Sequence, residues 1–189
     1  MTGKKKEPRS RNEILNATIE MLEFTSYSSL TIEAIASHAG VGKTTIYRWW
    51  ENKAYLVLDA FLMVVDSKFE FNSNNPVQDT FKQHLQALAH ILNSKIGKSI
   101  LTIVIENEEI AKKFYTSYLS LRRNEAKQLL QAAMDKGEVQ STINTDAVLD
   151  MLYGPIYFQI LIYKKVPDED YINELLIRVI KGIGIPNQS

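Results

Sequence analysis

Apolar residues recur at intervals of three and four along almost the whole chain, the spacing of one face of an α-helix. Ile14, Ala17, Thr18, Met21 and Leu22 share such a face, and Ser10 with Glu13 has the spacing of a capping box ahead of them. A first helix is therefore predicted from about Arg11 to Phe24, ended by "TSYSS". Thr31 is placed to cap a second helix with the buried stripe Ile32, Ile35, Ala36 and Ala39. Glu33 falls in its first turn, where the helix dipole favours an anion. Gly40 stops that helix, and a short third one runs from Lys43 to about Trp50. After "ENK" a long apolar helix extends from Ala54 to about Phe71, and "NSNNP" at 72–76 is the clearest break in the chain. Helices follow near 77–93, 98–106, 108–135, 145–165 and 168–183, with Gly137 and Pro167-Asp168 as stop and start signals. No alternating strand appears. The expected fold is all-α with about nine helices. A three-helix head with an N-terminal arm (residues 1–53) is joined to a larger helical bundle (residues 54–189).

Composition narrows the function classes. The chain has 189 residues, 45% of them apolar, which suffices for a sizeable core. The absence of cysteine excludes disulfides, thiolate zinc sites and a cysteine nucleophile. The N-terminal charges are not followed by an apolar stretch. The longest apolar run, Met151 to Tyr163, is too short to span a bilayer, so a cytoplasmic protein without a membrane partner is expected. Net charge is zero, yet residues 1–53 hold eight basic and six acidic residues. Lys4, Lys5, Lys6, Arg9 and Arg11 form a basic arm, either a solvated tail or a source of extra DNA-phosphate contacts. His84 and His90 stand six apart, out of phase for a shared metal ion, and read as ordinary partly exposed residues. Glu108 and Glu109 are acids at a helix start. Catalytic residues, metals and cofactors are not expected, and neither is enzyme activity.

Gly42-Lys43-Thr44 is the tripeptide that ends a nucleotide-binding P-loop, and it raises the question of which phosphates the chain grips. The full motif requires a glycine at position 37, where Ser37 stands, and a buried strand, where "IEAIASHAG" has the period of a helix. A helix-turn-helix accounts for more of the residues. Ala36 is small where two helices approach, and Gly40 permits the positive φ that redirects the chain. Val41 and Ile46 are the apolar packing positions. Lys43, Thr44, Thr45, Tyr47 and Arg48 are left on or near the outward surface of a helix that enters the major groove.

The stretch "RNEILNATIEMLEFTSYSSLTIEAIASHAGVGKTTIYRWWENKAYLV", residues 11–57, resembles the N-terminal domain of TetR-family transcriptional regulators without a gap. "DMLYGPIYFQILIYKKVPD" resembles the C-terminal region of one branch of that family. The resemblance implies a homodimer of all-helical subunits that binds a palindromic operator in double-stranded DNA and is usually released by a small-molecule effector. By position it implies a phosphate or base contact for Tyr47, a phosphate contact for Lys53 and a capping hydroxyl beside the DNA backbone for Thr31. Lys43, Thr44, Thr45 and Arg48 fall on its specificity positions. Trp50 matches a core aromatic, and Trp49 is open between a DNA-backbone contact and packing. The chain departs from the family pattern at Gly42, where a serine cap is common, and at Ser26, where a glycine usually ends the first helix.

In the larger domain the helix around Leu149, Leu152, Ile156 and Ile160 has little polar face and must be buried on two sides. With Tyr171, Leu175 and Val179 of the last helix, these residues are expected to form a four-helix dimer interface. Phe61, Phe81, Ile100, Ile105, Phe114, Tyr118, Tyr153 and Tyr157 are the candidate lining of a pocket for a mostly apolar or aromatic ligand. Ligand binding would then shift the fourth helix and change the spacing of the two recognition helices. The expected function is a dimeric repressor relieved by such a ligand. The alternatives are a DNA-binding structural or chromosome-organising protein without an inducer, and a nucleotide-hydrolysing enzyme using Gly42-Lys43-Thr44.

Overall fold

The computed structural model describes residues 9–65 and 75–183. Lys4, Lys5 and Lys6 of the basic arm, the end of the fourth helix predicted over 66–71, and most of the "NSNNP" turn lie outside the described residues. Those described form ten α-helices and one π-helical segment, in the order α1 (Arg9–Phe24), α2 (Ile32–His38), α3 (Lys43–Tyr47), α4 (Lys53–Val65), α5 (Val77–Asn93), α6 (Lys95–Glu106), α7 (Glu108–Phe114), the π turn (Tyr115–Leu119), α8 (Ser120–Asp135), α9 (Thr145–Leu161) and α10 (Glu169–Ile183). None of them is a single helix long and apolar enough to cross a membrane.

Most helix starts are set by side chains that satisfy the free N–H groups of a first turn. Thr31, Ser94 and Asn144 accept from Ala34, Gly97 and Ala147 respectively at 3.1 Å each. Asn52, Asn107 and Asp168 do the same for α4, α7 and α10. Two helices end in Schellman motifs. At α2, Gly40 has φ 66° while Val41 N–H reaches Ala36 O at 2.9 Å and Gly40 N–H reaches Ser37 O at 3.3 Å. At α8, Gly137 has φ 71° and Glu138 N–H reaches Ala133 O at 2.9 Å.

The chain divides into two compact units. The first combines described residues 9–65 with 94–114, so it includes α6 and α7 beside α1 to α4. Its core contains Ile14, Leu15, Leu22, Ile35, Ile46, Leu56, Phe61 and Ile100, all essentially inaccessible to water. Phe61 meets Phe114 edge to face with ring centroids 5.8 Å apart. The second unit combines described residues 75–93 with 115–183, in which α5 and α9 pack together and against both α8 and α10. Phe81, Leu85, Leu92, Leu130 and Leu176 are buried there.

Several sequence expectations change. Helix α1 starts at Arg9, so Ser10 stands inside its first turn and not at a cap. Helix α3 ends at Tyr47, and Trp49 and Trp50 follow in a turn whose N–H groups both reach Ile46 O. The single helix expected over 108–135 is split by the π turn, whose wider winding breaks the 3.6-residue phase. The expected dimer seam also needs correction. Leu149, Leu152, Ile156, Ile160 and Val179 are buried within the subunit itself, and Tyr171 and Leu175 are half-buried. Because α9 is apolar around nearly its whole circumference, its pattern could not tell the inner stripe from the outer. The exposed stripe is Met151, Phe158 and Ile162, continued by Tyr163 and Val166.

Gly40 supplies a turn that only a residue tolerant of positive φ can make, and open space surrounds the position of an added Cβ. Gly40→Ala is expected to cost about 1–2 kcal/mol of unfolding free energy from backbone strain alone. Urea unfolding of the two proteins measures it, and equal midpoints would refute the turn as the source of the constraint.

Candidate nucleic-acid interface and cavity

Ile46 is the fully buried residue of the five-residue helix α3. With that side inward, Lys43, Thr44, Tyr47 and Arg48 are exposed and Thr45 is half-exposed. Tyr47 keeps 54% of its surface and Trp49 41%, while Trp50 keeps 3%. The two adjacent indoles therefore have opposite environments. Trp50 turns inward and donates from Nε1 to Asp59 at 2.9 Å. No side chain caps α3. Gly42 has extended backbone (φ −76°, ψ 148°), and its carbonyl accepts from Thr45 N–H at 2.9 Å. The turn at Ser26 needs no glycine either. Its Oγ accepts from Ser29 N–H at 3.3 Å, and Leu30 N–H bonds to its carbonyl at 3.0 Å.

The lysines of this surface have different surroundings. Lys43 pairs with Glu33 of α2 at 2.9 Å, both side chains more than half exposed. The hydrogen bond from Lys43 is the main cause that holds the Glu33 carboxyl below its ordinary range. Lys53 instead donates to Tyr27 O at 2.7 Å and Leu30 O at 2.6 Å, with its ammonium 4.4 Å from the centre of the Tyr27 ring. Burial lowers the Lys53 pKa. The residue expected to reach DNA phosphate thus ties the start of α4 to the α1–α2 turn. Thr31 is exposed and its hydroxyl serves as the α2 cap.

In the second unit a cavity of about 360 Å³ opens among α5, the π turn, α8 and α9. His84 and Leu88 line it from α5, Tyr118 and Leu119 from the π turn, Arg122 and Arg123 from α8, and Asp150, Tyr153, Gly154 and Tyr157 from α9. Of the eight candidate lining residues, Tyr118, Tyr153 and Tyr157 are in this wall. Phe61, Phe81, Ile100 and Phe114 are buried and are not part of it. Ile105 is 71% exposed, on a turn of α6 that faces water, and is corrected from a lining to a surface residue. The residues missed are the polar ones. His84 is partly exposed, as expected, and it also lines the cavity, where its ring meets Tyr153 edge to face at 5.6 Å. Arg122-Arg123 following Tyr118 by four and five residues was the available signal.

The family follows from how the whole chain matches. The family model described as "Bacterial regulatory proteins, tetR family" covers residues 14–60, and "Tetracyclin repressor-like, C-terminal domain" covers 75–179. The chain belongs to the TetR family. It is 30% identical to the HTH-type transcriptional regulator YdeS of Bacillus subtilis, over 96% of this chain and 93% of that protein. Among solved structures, the TetR family transcription regulator SCO0332 superimposes with a TM-score of 0.75 at 27% identity, covering 94% of this chain and all of that one. The regulator FadR of Bacillus subtilis, crystallised with stearoyl-CoA, shares the fold with a TM-score of 0.63 at 20% identity, covering 91% of this chain and 98% of that one. This TetR-family chain is accordingly a DNA-binding transcriptional regulator with a helix-turn-helix head.

Two of its residues give direct tests. Lys53→Met should lower the stability of the DNA-free protein by about 1.5–3 kcal/mol in urea unfolding, the range for hydrogen bonds that involve a charged group. Unchanged stability would mean that its carbonyl contacts contribute nothing. Burial, with help from the Arg122 charge, depresses the His84 pKa to about 4, against an ordinary value of 6.5. Between those values the unfolded chain binds more protons than the folded one. The stabilisation is full above about pH 6.5 and is lost as pH falls towards 4. Unfolding at pH 7 and pH 5 should differ by about 2 kcal/mol more in the wild type than in His84→Gln.

Proposed function

We propose that this regulator is a homodimeric repressor that binds a palindromic operator in double-stranded DNA and releases it when a small molecule occupies the cavity of the second unit. The observation that carries the reading is the surface of α3. Ile46 anchors the helix, while Lys43, Thr44, Tyr47 and Arg48 offer an ammonium, a hydroxyl, a phenol and a guanidinium outward. These groups suit phosphate oxygens and base edges. Thr45 and Trp49 flank them, Thr31 stands at the start of α2, and Lys53 acts by positioning the turn behind them. FadR of Bacillus subtilis, whose structure holds stearoyl-CoA, supports the view that this scaffold accommodates a small molecule.

Dimerisation is assigned to the exposed apolar stripe of α9. Met151, Phe158 and Ile162 lie seven and four residues apart, on one helix face, and each leaves about half or more of its surface in water. A reader of two half-sites needs its two heads held one helical turn of DNA apart, which a self-complementary interface supplies.

The test uses double-stranded DNA enriched by the protein from a random pool. Tyr47→Ala and Arg48→Ala should each weaken binding in gel-shift titration about tenfold or more with the unfolding midpoint unchanged. Phe158→Glu should shift sedimentation from dimer to monomer and abolish preference for two-fold sites. Undiminished binding by both head variants would overturn the docking, and a dimeric Phe158→Glu protein would overturn the interface. A protein that keeps its DNA in the presence of every cavity ligand would be a DNA-organising protein and not a ligand-gated repressor.

A further inference from the structure

Resting on the ligand-gated reading above, we infer that the cavity selects an uncharged, planar aromatic molecule bearing a carbonyl oxygen, held by the hydroxyls of Tyr153 and Tyr157. The argument begins with those two side chains. They stand four residues apart on α9, so both project on one face, and both line the cavity. Among the described residues neither hydroxyl has a hydrogen-bond partner within the protein. Burial pushes the Tyr157 phenol up to about 12 and Tyr153 further, so both remain O–H donors at any ordinary pH. Both tyrosines are half-buried, and unengaged donors in a cavity wall are the groups that a ligand oxygen can take up.

The charged groups in the wall argue for neutrality. Arg122 is paired with Glu125 at 2.9 Å, and Arg123 with Asp146 and Asp150 at 2.9 Å each. Lys127 takes the remaining side of Asp146 at 2.8 Å. Three cations are thus matched by three carboxylates. A carboxylate ligand would have to displace one of these carboxylates from a guanidinium, and an ammonium ligand would have to displace a guanidinium from Asp150. Either exchange swaps one ion pair for another and gains no charge pairing, because Asp146 and Asp150 are already matched and more than half exposed. His84 is neutral above about pH 4 and adds no charge to attract an anion.

The remaining wall sets the shape. The rings of His84, Tyr118, Tyr153 and Tyr157 surround the space, with Leu88 and Leu119 completing an apolar lining. Aromatic faces and edges favour a flat ring system over a branched aliphatic one. A volume of about 360 Å³ is at the small end of small-molecule sites and suits a compact ring system in preference to a long chain.

Four naphthalene probes of one size separate the possibilities: 2-acetylnaphthalene, 2-ethylnaphthalene, 2-naphthoate and 2-naphthylmethylammonium. Binding to the full-length dimer is measured by calorimetry without DNA. The ketone should bind at least tenfold more tightly than the anion or the cation, and several-fold more tightly than the ethyl compound. Tyr153→Phe with Tyr157→Phe keeps both rings, and it should weaken the ketone about tenfold while leaving 2-ethylnaphthalene unchanged. Naphthoate or the ammonium binding as well as the ketone, an undiminished ketone affinity in the double variant, or no binding by any probe would overturn the inference. Release of enriched DNA is scored separately by gel shift. A ketone that binds as expected but leaves the DNA complex intact defeats the ligand-gated reading and not the ligand class. Release by naphthoate alone does the reverse.

Discussion

Asp59 accepts two hydrogen bonds at one carboxylate oxygen, from Arg11 at 2.6 Å and from the Trp50 indole at 2.9 Å. The Arg11 guanidinium also lies 5.5 Å from the centre of the Trp50 ring. One oxygen on α4 therefore fixes α1 and the segment that leaves α3. The Arg11 and Asp59 side chains are only 20% and 31% exposed, so the pair is less screened than an ordinary surface ion pair. The recognition surface proposed for α3 depends on this arrangement. A helix of five residues has no stability of its own, and its orientation must come from its attachments. Ile46 sets which side of α3 faces inward, and Trp50 sets where the chain goes next. In the proposed docking, what faces DNA is whatever those two anchors leave outside.

Much of this was legible in the sequence. Apolar periodicity and polar caps are local properties, and α5 was expected over 77–93 and found there. The chemistry of single residues was legible where one mechanism governs them: Gly40 needs a positive φ, Thr31 a cap, and Ile46 a core position. Positions that depend on distant partners were not. Lys53 reads as a free cation at a helix start, and its carbonyl partners lie 23 and 26 residues earlier in the chain. The inner and outer stripes of α9 look alike because both are apolar. Only the packing of α5, α8 and α10 distinguishes Leu152 from Phe158. The π turn was equally invisible, since "YTSYL" carries no proline or glycine to mark it.

The polar half of the cavity was illegible for a related reason. Apolar pattern searches select Phe61, Phe81 and Ile100, and these are the residues whose need for burial is met by the core itself. A binding site is built from side chains that the core does not consume. Arg122 and Arg123 are held by carboxylates of α8 and α9, and Tyr153 and Tyr157 line the cavity half-buried. Candidate ligand contacts are better sought among amphipathic residues with an apolar body and a polar tip than among pure hydrophobes.

The charge balance of that cavity also constrains how a ligand could control DNA binding. An uncharged molecule that leaves the arginine–carboxylate pairs intact adds nothing to the electrostatic field of the protein. The attraction of Lys43 and Arg48 for phosphate is local in any case, because screening at physiological salt acts over about 8 Å. Coupling by charge is thereby excluded for a neutral ligand. What remains is a difference in its affinity for two conformations of the protein, one competent for the operator and one not. By reciprocity, operator DNA must then weaken the ligand by the same factor that the ligand weakens DNA.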